Sequence, residues 1–273
     1  MGGRTTLRRV RDAVSAAAAE LEEAGCDTPR LDAELLAAAV LGSGRERLLV
    51  DASAPIAPAA ELRFAELIRR RVAREPVAYI LGRRAFRRLE LAVDPRVLIP
   101  RPETELLVEV ALGLPPGARV HDVGVGSGAV ALAIADERPD LRVSGSDTSP
   151  AAIEVARANA ARLRLAVELT VARSLPAQAS GADLVVANLP YVAADDWPGL
   201  APEITHFEPR EALVSGADGL DAIRELVAGA PAALRLALEH APAQATAVRD
   251  VLSEPTTLPD LAGLDRVTVG RVP

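Results

Sequence analysis

Asn188-Leu189-Pro190-Tyr191 closes the run Asp183-Leu-Val-Val-Ala187, which reads as a strand. In an open α/β sheet ligands gather at the carboxyl ends of strands, so these four residues stand where chemistry is done. The Asn188 side-chain oxygen and the Leu189 main-chain oxygen are two acceptors, and a planar NH2 group has two N–H bonds to offer them. Such a group, an amide or an exocyclic amine, holds its lone pair in resonance and must release it before attacking a methyl group. Positive charge growing on the nitrogen strengthens both contacts in the transition state. Tyr191 supplies a wall for a flat substrate. The same four letters also make an ordinary Asn-x-Pro turn, and a second feature is needed to weigh the two readings.

That feature is Asp122-Val123-Gly124-Val125-Gly126-Ser127-Gly128, between a β-rich run (Arg119 to Val123) and a helical one (Ala129 to Asp136). Glycines at 124, 126 and 128 let a ligand approach the backbone. The opening helix is expected to turn N–H groups and its positive end toward that ligand. Asp147 ends the next β-rich run and is placed to accept from two ribose hydroxyls. With Ala129 in the last small position, the spacing also satisfies a dinucleotide fingerprint. The loop alone leaves a nicotinamide cofactor and S-adenosylmethionine both open. A nicotinamide enzyme needs a proton donor for the carbonyl it reduces, and the Asn-Leu-Pro-Tyr turn offers acceptors instead, which favours methyl transfer.

The elements that position these residues follow from periodicity. The first 75 or so residues carry apolar positions at helical spacing: Val10, Val14, Leu21; Leu31, Leu35, Leu36, Val40; Leu62, Phe64, Leu67, Ile68, Val72. Pro76 stops that pattern, and Ala85 to Val93 alternates like a short hairpin. From Arg119 onward strand and helix signals alternate: Arg142 to Asp147, Pro150 to Arg162, Val167 to Val171 and Ala182 to Asn188, with further strands at Leu234 to Glu239 and Arg266 to Val272. Stacked βαβ units of this kind build a parallel sheet with helices on both faces. The expected division is a helical domain over 1–84, a hairpin and linker over 85–105, and an α/β domain over 106–273.

Composition narrows the function classes. The 273 residues carry a net charge of −7, which disfavours a protein that grips nucleic acid over its whole surface. Residues 1–90 hold 16 arginines against 13 acids, and residues 91–273 hold 15 against 25. All 31 basic residues are arginine, and the clusters at 69–74 and 83–88 read as solvated faces of a helix and a hairpin. Cys26 has no second cysteine to pair with, and three scattered histidines offer no metal-ligand spacing. No apolar stretch approaches the roughly 20 residues of a membrane span. The arginine-rich start, Met1 to Arg11, lacks the apolar core of a signal peptide, so a cytoplasmic location and no membrane are expected.

Over most of its length the chain resembles the HemK/PrmC family, protein glutamine-N5 methyltransferases acting on peptide chain release factors. The resemblance is carried by Glu75-Pro-Val-Ala-Tyr-Ile-Leu-Gly82, Phe86, Leu98-Ile-Pro-Arg-Pro-Glu-Thr-Glu105, Asp122 to Gly128, Asn188 to Tyr191, Glu208-Pro-Arg-Glu-Ala-Leu213 with Asp218-Gly-Leu220, and Asp260 to Arg266. The Arg-Pro-Glu-Thr-Glu run is the most specific. The resemblance implies a Rossmann-like S-adenosylmethionine-dependent methyltransferase domain, with a mostly parallel seven-stranded sheet, preceded by a small helical substrate-recognition domain.

It also implies roles. Asp122, Gly124, Val125, Gly126, Ser127 and Gly128 hold the methionine part of the cofactor, Asp147 the ribose, and the vicinity of Arg173 the adenine edge. Asn188, Leu189, Pro190 and Tyr191 form the catalytic turn, with Asn188 also near the cofactor. The partner is a release factor, methylated in its Gly-Gly-Gln loop, with no stable nucleic-acid binding. Leu189 stands where the family usually has proline, a form also known in adenine-N6 methyltransferases of RNA, and Val125 stands where threonine is common. The customary aspartate and aromatic near Ala172 and Arg173 and the glycine pair between Gly229 and Glu239 are missing. Alternative readings are a divergent paralogue with another protein substrate, an adenine-N6 nucleic-acid methyltransferase, a nicotinamide oxidoreductase and a non-catalytic binding module.

Overall fold

The computed structural model of the chain describes residues 8–173 and 175–273, so the arginine-rich start lies outside the described residues as far as residue 7. From the amino end come α1 (Val10–Glu23), α2 (Pro29–Leu41), α3 (Arg45–Val50), α4 (Pro58–Val72) and α5 (Val77–Leu81). The hairpin β1 (Arg83–Phe86) and β2 (Leu89–Ala92) follows, then α6 (Glu105–Leu112), β3 (Arg119–Val123), α7 (Ala129–Glu137), β4 (Arg142–Asp147), α8 (Pro150–Leu163), β5 (Glu168–Val171) and β6 (Leu184–Ala187). The chain ends with α9 (Pro202–Phe207), α10 (Asp221–Gly229), β7 (Arg235–Glu239), α11 (Ala245–Asp250), β8 (Ser253–Pro259) and β9 (Asp265–Arg271).

These elements fall into two units: one runs to Gly82 and includes Pro202–Phe207, and the other holds Arg83–Ala201 and Glu208–Pro273. In the first unit, Pro29 and Pro58 occupy first-turn positions, where the missing N–H is no loss. Its core gathers Val10, Val14, Leu21, Leu36, Phe64 and Ile68. Leu62, grouped with that face by periodicity, is 74 % exposed. The third inward position of α4 is instead Arg71, only 5 % exposed. Its guanidinium lies 2.7 Å from Asp32 and 2.8 Å from Glu203, and Arg74 holds the other oxygen of Glu203 at 2.6 Å. The arginine cluster is therefore only partly a solvated face. Sequence periodicity scores arginine as polar, but a long side chain matched by carboxylates can be enclosed.

The second unit is built on a seven-stranded sheet in the order β5-β4-β3-β6-β7-β9-β8. Five strands, β5 to β7 in that order, are parallel, and β9 runs antiparallel to both β7 and β8. The chain winds outward from β3 through β4 to β5, then returns to the other side of β3 as β6. The winding reverses between β3 and β6, which opens a crevice at their carboxyl ends. Val123 pairs with Ala187 across that gap, so the glycine loop and the Asn188 turn leave the sheet side by side. All four β6 residues are buried, as a strand covered on both faces requires. Among the described residues no helix is long and apolar enough to cross a membrane.

Candidate active site

A cleft of about 260 Å³ opens over the β3/β6 gap, and both motifs line it. Gly124, at φ +77°, is where they meet: a Cβ there would stand 3.2 Å from Leu189 Cδ2 and 3.6 Å from the Asn188 carbonyl oxygen. Only glycine combines that left-handed backbone with so close an approach of the turn. Gly128, at φ +88°, begins α7, and a Cβ there would press on Leu132 at 2.8 Å.

Four of the loop's donors are bonded inside the protein, while the N–H groups of Ser127 and Ala129, which line the cleft at the start of α7, make no hydrogen bond among the described residues. The N–H groups of Gly124 and Val125 both donate to the Ser146 carbonyl, that of Gly128 to the Val125 carbonyl, and that of Gly126 to Asp147 Oδ2 at 2.9 Å. At the bonded glycines a ligand meets a bare backbone surface.

Asp147 lines the cleft at the end of β4. Its Oδ1 accepts from Ser149 N–H at 2.9 Å, so each carboxylate oxygen holds one protein donor and keeps a lone pair for a hydroxyl. Asp122 lies beneath the loop, 2 % exposed, and accepts from Ala131 N–H at 3.1 Å. Burial, reinforced by the nearby Asp147 charge, pushes its carboxyl up to about 7. The Val125 side chain is buried against Gly145, so the position that carries threonine elsewhere serves packing here. Ser127 is buried and its carbonyl accepts from Asn159 Nδ2. Ala172 and Arg173 line the far end of the cleft, Arg173 exposed.

In the turn, Asn188, Leu189 and Pro190 line the cleft and Tyr191 does not. Asn188 Nδ2 donates to Thr104 Oγ1 at 3.0 Å, and the Asn188 Oδ1 accepts no bond among the described residues. The Tyr191 hydroxyl donates to Glu239 Oε1 at 3.4 Å, away from the expected substrate wall, and burial pushes its ionisation up. Tyr191 O is pinned by Gln244 Nε2 at 2.9 Å.

Three neighbours have contacts to which the sequence motifs assign no role. Glu208, buried, accepts from Ile99 N–H at 3.0 Å and from Arg101, and so holds the segment whose Leu98 and Pro100 line the cleft. Thr104 belongs to the Arg-Pro-Glu-Thr-Glu run, a pattern that assigns its threonine no role. Glu239 reads only as the end of a strand.

Comparison with known proteins agrees with this architecture. Residues 12–82 match the model of the PrmC N-terminal domain and residues 120–207 that of a methyltransferase domain. A release factor glutamine methyltransferase of Cereibacter sphaeroides is 41% identical, over 97% of this chain and 99% of its own length. The protein of that name from Xylella fastidiosa is 45% identical, over 89% of this chain and 94% of its own. That of Mycolicibacterium smegmatis is 45% identical, over 86% and 85% respectively. Similarity at this level along nearly the whole chain places the protein: it belongs to the family of release factor glutamine methyltransferases.

Proposed function

We propose that the chain methylates the side-chain amide nitrogen, N5, of the glutamine in the Gly-Gly-Gln loop of a peptide chain release factor. The observation that carries this reading is the Asn188 amide. Its nitrogen is held by Thr104 and its oxygen accepts no bond among the described residues, within a cleft shared with the glycine loop. The cleft fits S-adenosylmethionine: the glycine surface at Gly124 takes the methionine part, Asp147 the ribose hydroxyls, and Ala172 and Arg173 border the adenine end. When bound, that cofactor supplies an electrophilic methyl group.

The chain's own residues do the rest by position. Asn188 Oδ1 and the Leu189 carbonyl each accept one N–H of the glutamine carboxamide, which aims the nitrogen lone pair along the cleft. As the new C–N bond forms and the bond from methyl to sulfur breaks, positive charge grows on nitrogen and both acceptors hold it more strongly. The methylated nitrogen is then acidic and its proton passes to water, so no general base is required. The helical domain, 1–84, is the surface available to select the protein that carries the glutamine, because the cleft itself accepts any small carboxamide. Methylation of a translation factor puts the enzyme in the cytoplasm.

Labelled S-adenosylmethionine tests the reading against three acceptors: intact release factor, the same factor with the loop glutamine replaced, and RNA. Label on the first alone is expected. Label on RNA instead makes the protein an adenine-type methyltransferase, the reading that the Asn-Leu-Pro-Tyr form also fits.

A further inference from the structure

The catalytic turn is anchored at both ends, and its outer anchor includes a side chain that the mechanism above does not use. Upstream, Ala187 is buried in the sheet, paired with Val123 on one side and Leu238 on the other. Within the turn, Pro190 has a fixed φ and restricts Leu189 before it. The Leu189 carbonyl therefore keeps its direction as long as both ends of the turn stay in place. Downstream, four contacts meet at Tyr191.

The Tyr191 hydroxyl reaches Glu239 Oε1 at 3.4 Å. Just beyond it, Val192 N–H donates to the Leu213 carbonyl at 2.8 Å, and the Val192 carbonyl accepts from Ser215 N–H at 3.0 Å. The Tyr191 carbonyl itself accepts from Gln244 Nε2 at 2.9 Å. Gly219, at φ +79°, packs against the same carbonyl: a Cβ there would stand 2.1 Å from Tyr191 O and 2.6 Å from Gln244 Nε2. Only glycine leaves room for that pair.

Gln244 stands at the start of α11, outside the residues that line the cleft, so it can act on a substrate only through the turn. Its Oε1 accepts from Ala241 N–H at 3.0 Å, and its Nε2 donates to the Asp218 carbonyl at 3.0 Å as well as to Tyr191. One N–H and two carbonyls around a carboxamide admit a single orientation, with the nitrogen on the carbonyls. Reaching back to the N–H three residues earlier is what a glutamine at the third position of a helix does, and that task needs only the oxygen. Both N–H bonds are left over from it. They tie the exit of the catalytic turn to the Asp218-Gly219 segment.

We propose that Gln244 is a positioning residue: its amide clamps the exit of the catalytic turn and so fixes the direction in which the Leu189 carbonyl meets the substrate amide. The consequence for rate rests on the methyl-transfer reading, and the clamp rests on the contacts alone.

The chain contains two glutamines, Gln178 and Gln244, so 15N-glutamine labelling of the full chain gives two side-chain amide pairs by NMR. The pair that remains in Gln178→Ala belongs to Gln244. Without substrate, both Gln244 amide protons should exchange with solvent at least about 10-fold more slowly than those of free glutamine, because both are bonded. Exchange at the rate of free glutamine overturns the proposal.

Rates on intact release factor give the second arm. Gln244→Glu keeps the size of the side chain and the acceptor for Ala241 but loses both donors. Its single-turnover rate at saturating release factor and S-adenosylmethionine should fall about 10- to 100-fold, the cost of a contact slightly out of place. The Kd for S-adenosylmethionine and the half-saturating concentration of release factor should stay unchanged. A Gln244→Glu enzyme that melts at a lower temperature yet turns over at the wild-type rate makes Gln244 a structural residue only, which overturns the proposal and leaves the proposed function intact. Failure of the wild type to methylate any release factor overturns the function, and the exchange measurement still decides the clamp. Should Gln244→Glu fail to fold, the exchange of the wild-type amide carries the decision.

Discussion

The side-chain nitrogen of Asn188 lies 3.0 Å from the hydroxyl oxygen of Thr104, a residue 84 positions earlier in the chain. That contact joins the Arg-Pro-Glu-Thr-Glu run to the Asn-Leu-Pro-Tyr turn. With the amide nitrogen on Thr104, the amide oxygen is the end left for the cleft.

Asp147 is expected to hold the ribose with the lone pairs left free by Gly126 and Ser149. Asp147→Ala should weaken S-adenosylmethionine binding by about 1–3 kcal/mol, the cost of hydroxyls left unpaired. Calorimetric titration measures it, and an unchanged Kd would put the ribose elsewhere.

The meeting of Gly124 and Leu189 makes two substitutions behave oppositely. Gly124→Ala should destabilise the fold by about 1–2 kcal/mol for its left-handed backbone alone, and its methyl would push on Leu189 Cδ2. Leu189→Pro should retain turnover, because proline provides the same carbonyl and the Leu189 N–H makes no hydrogen bond among the described residues. Melting temperatures and single-turnover rates check the pair. A stable Gly124→Ala, or an inactive Leu189→Pro that folds, would mean that the turn and loop meet differently.

His121 on β3 sits between the hydroxyls of Ser144 at 2.8 Å and Ser146 at 2.9 Å. Burial lowers its pKa from 6.5 to about 4, so the fold holds it neutral. The unfolded chain binds the extra proton first, and the stabilisation is present above 6.5 and is lost as pH falls toward 4. Asp122, pushed up to about 7, acts in the opposite sense over the same window. The quantity to measure is therefore the difference between wild type and His121→Gln in denaturant unfolding, which should shrink on acidification. A difference that does not depend on pH would mean that His121 keeps its ordinary pKa.

Much of this was legible in the residues themselves. The run Leu184 to Ala187 is apolar throughout because β6 is covered on both faces, and the glycines stand where the backbone needs positive φ. Other parts were not. The edge strand β8, Ser253–Pro259, has mostly exposed residues and two prolines, so it shows neither alternation nor an apolar run. Arg71 looks like a surface residue until Asp32 and Glu203, brought from distant positions, enclose it. Thr104 and Glu239 gain their meaning only through side-chain contacts with Asn188 and Tyr191, which no local pattern encodes. Its place in the turn does not show that the Tyr191 hydroxyl reaches the buried Glu239.

Single-turnover methylation of intact release factor by wild type and Asn188→Ala decides whether Asn188 orients a glutamine amide for methyl transfer. Asn188→Ala should lose about 100- to 1000-fold in rate, as for deletion of one preorganised transition-state contact, with cofactor affinity unchanged. An Asn188→Ala enzyme that methylates the release factor glutamine as fast as the wild type would contradict it.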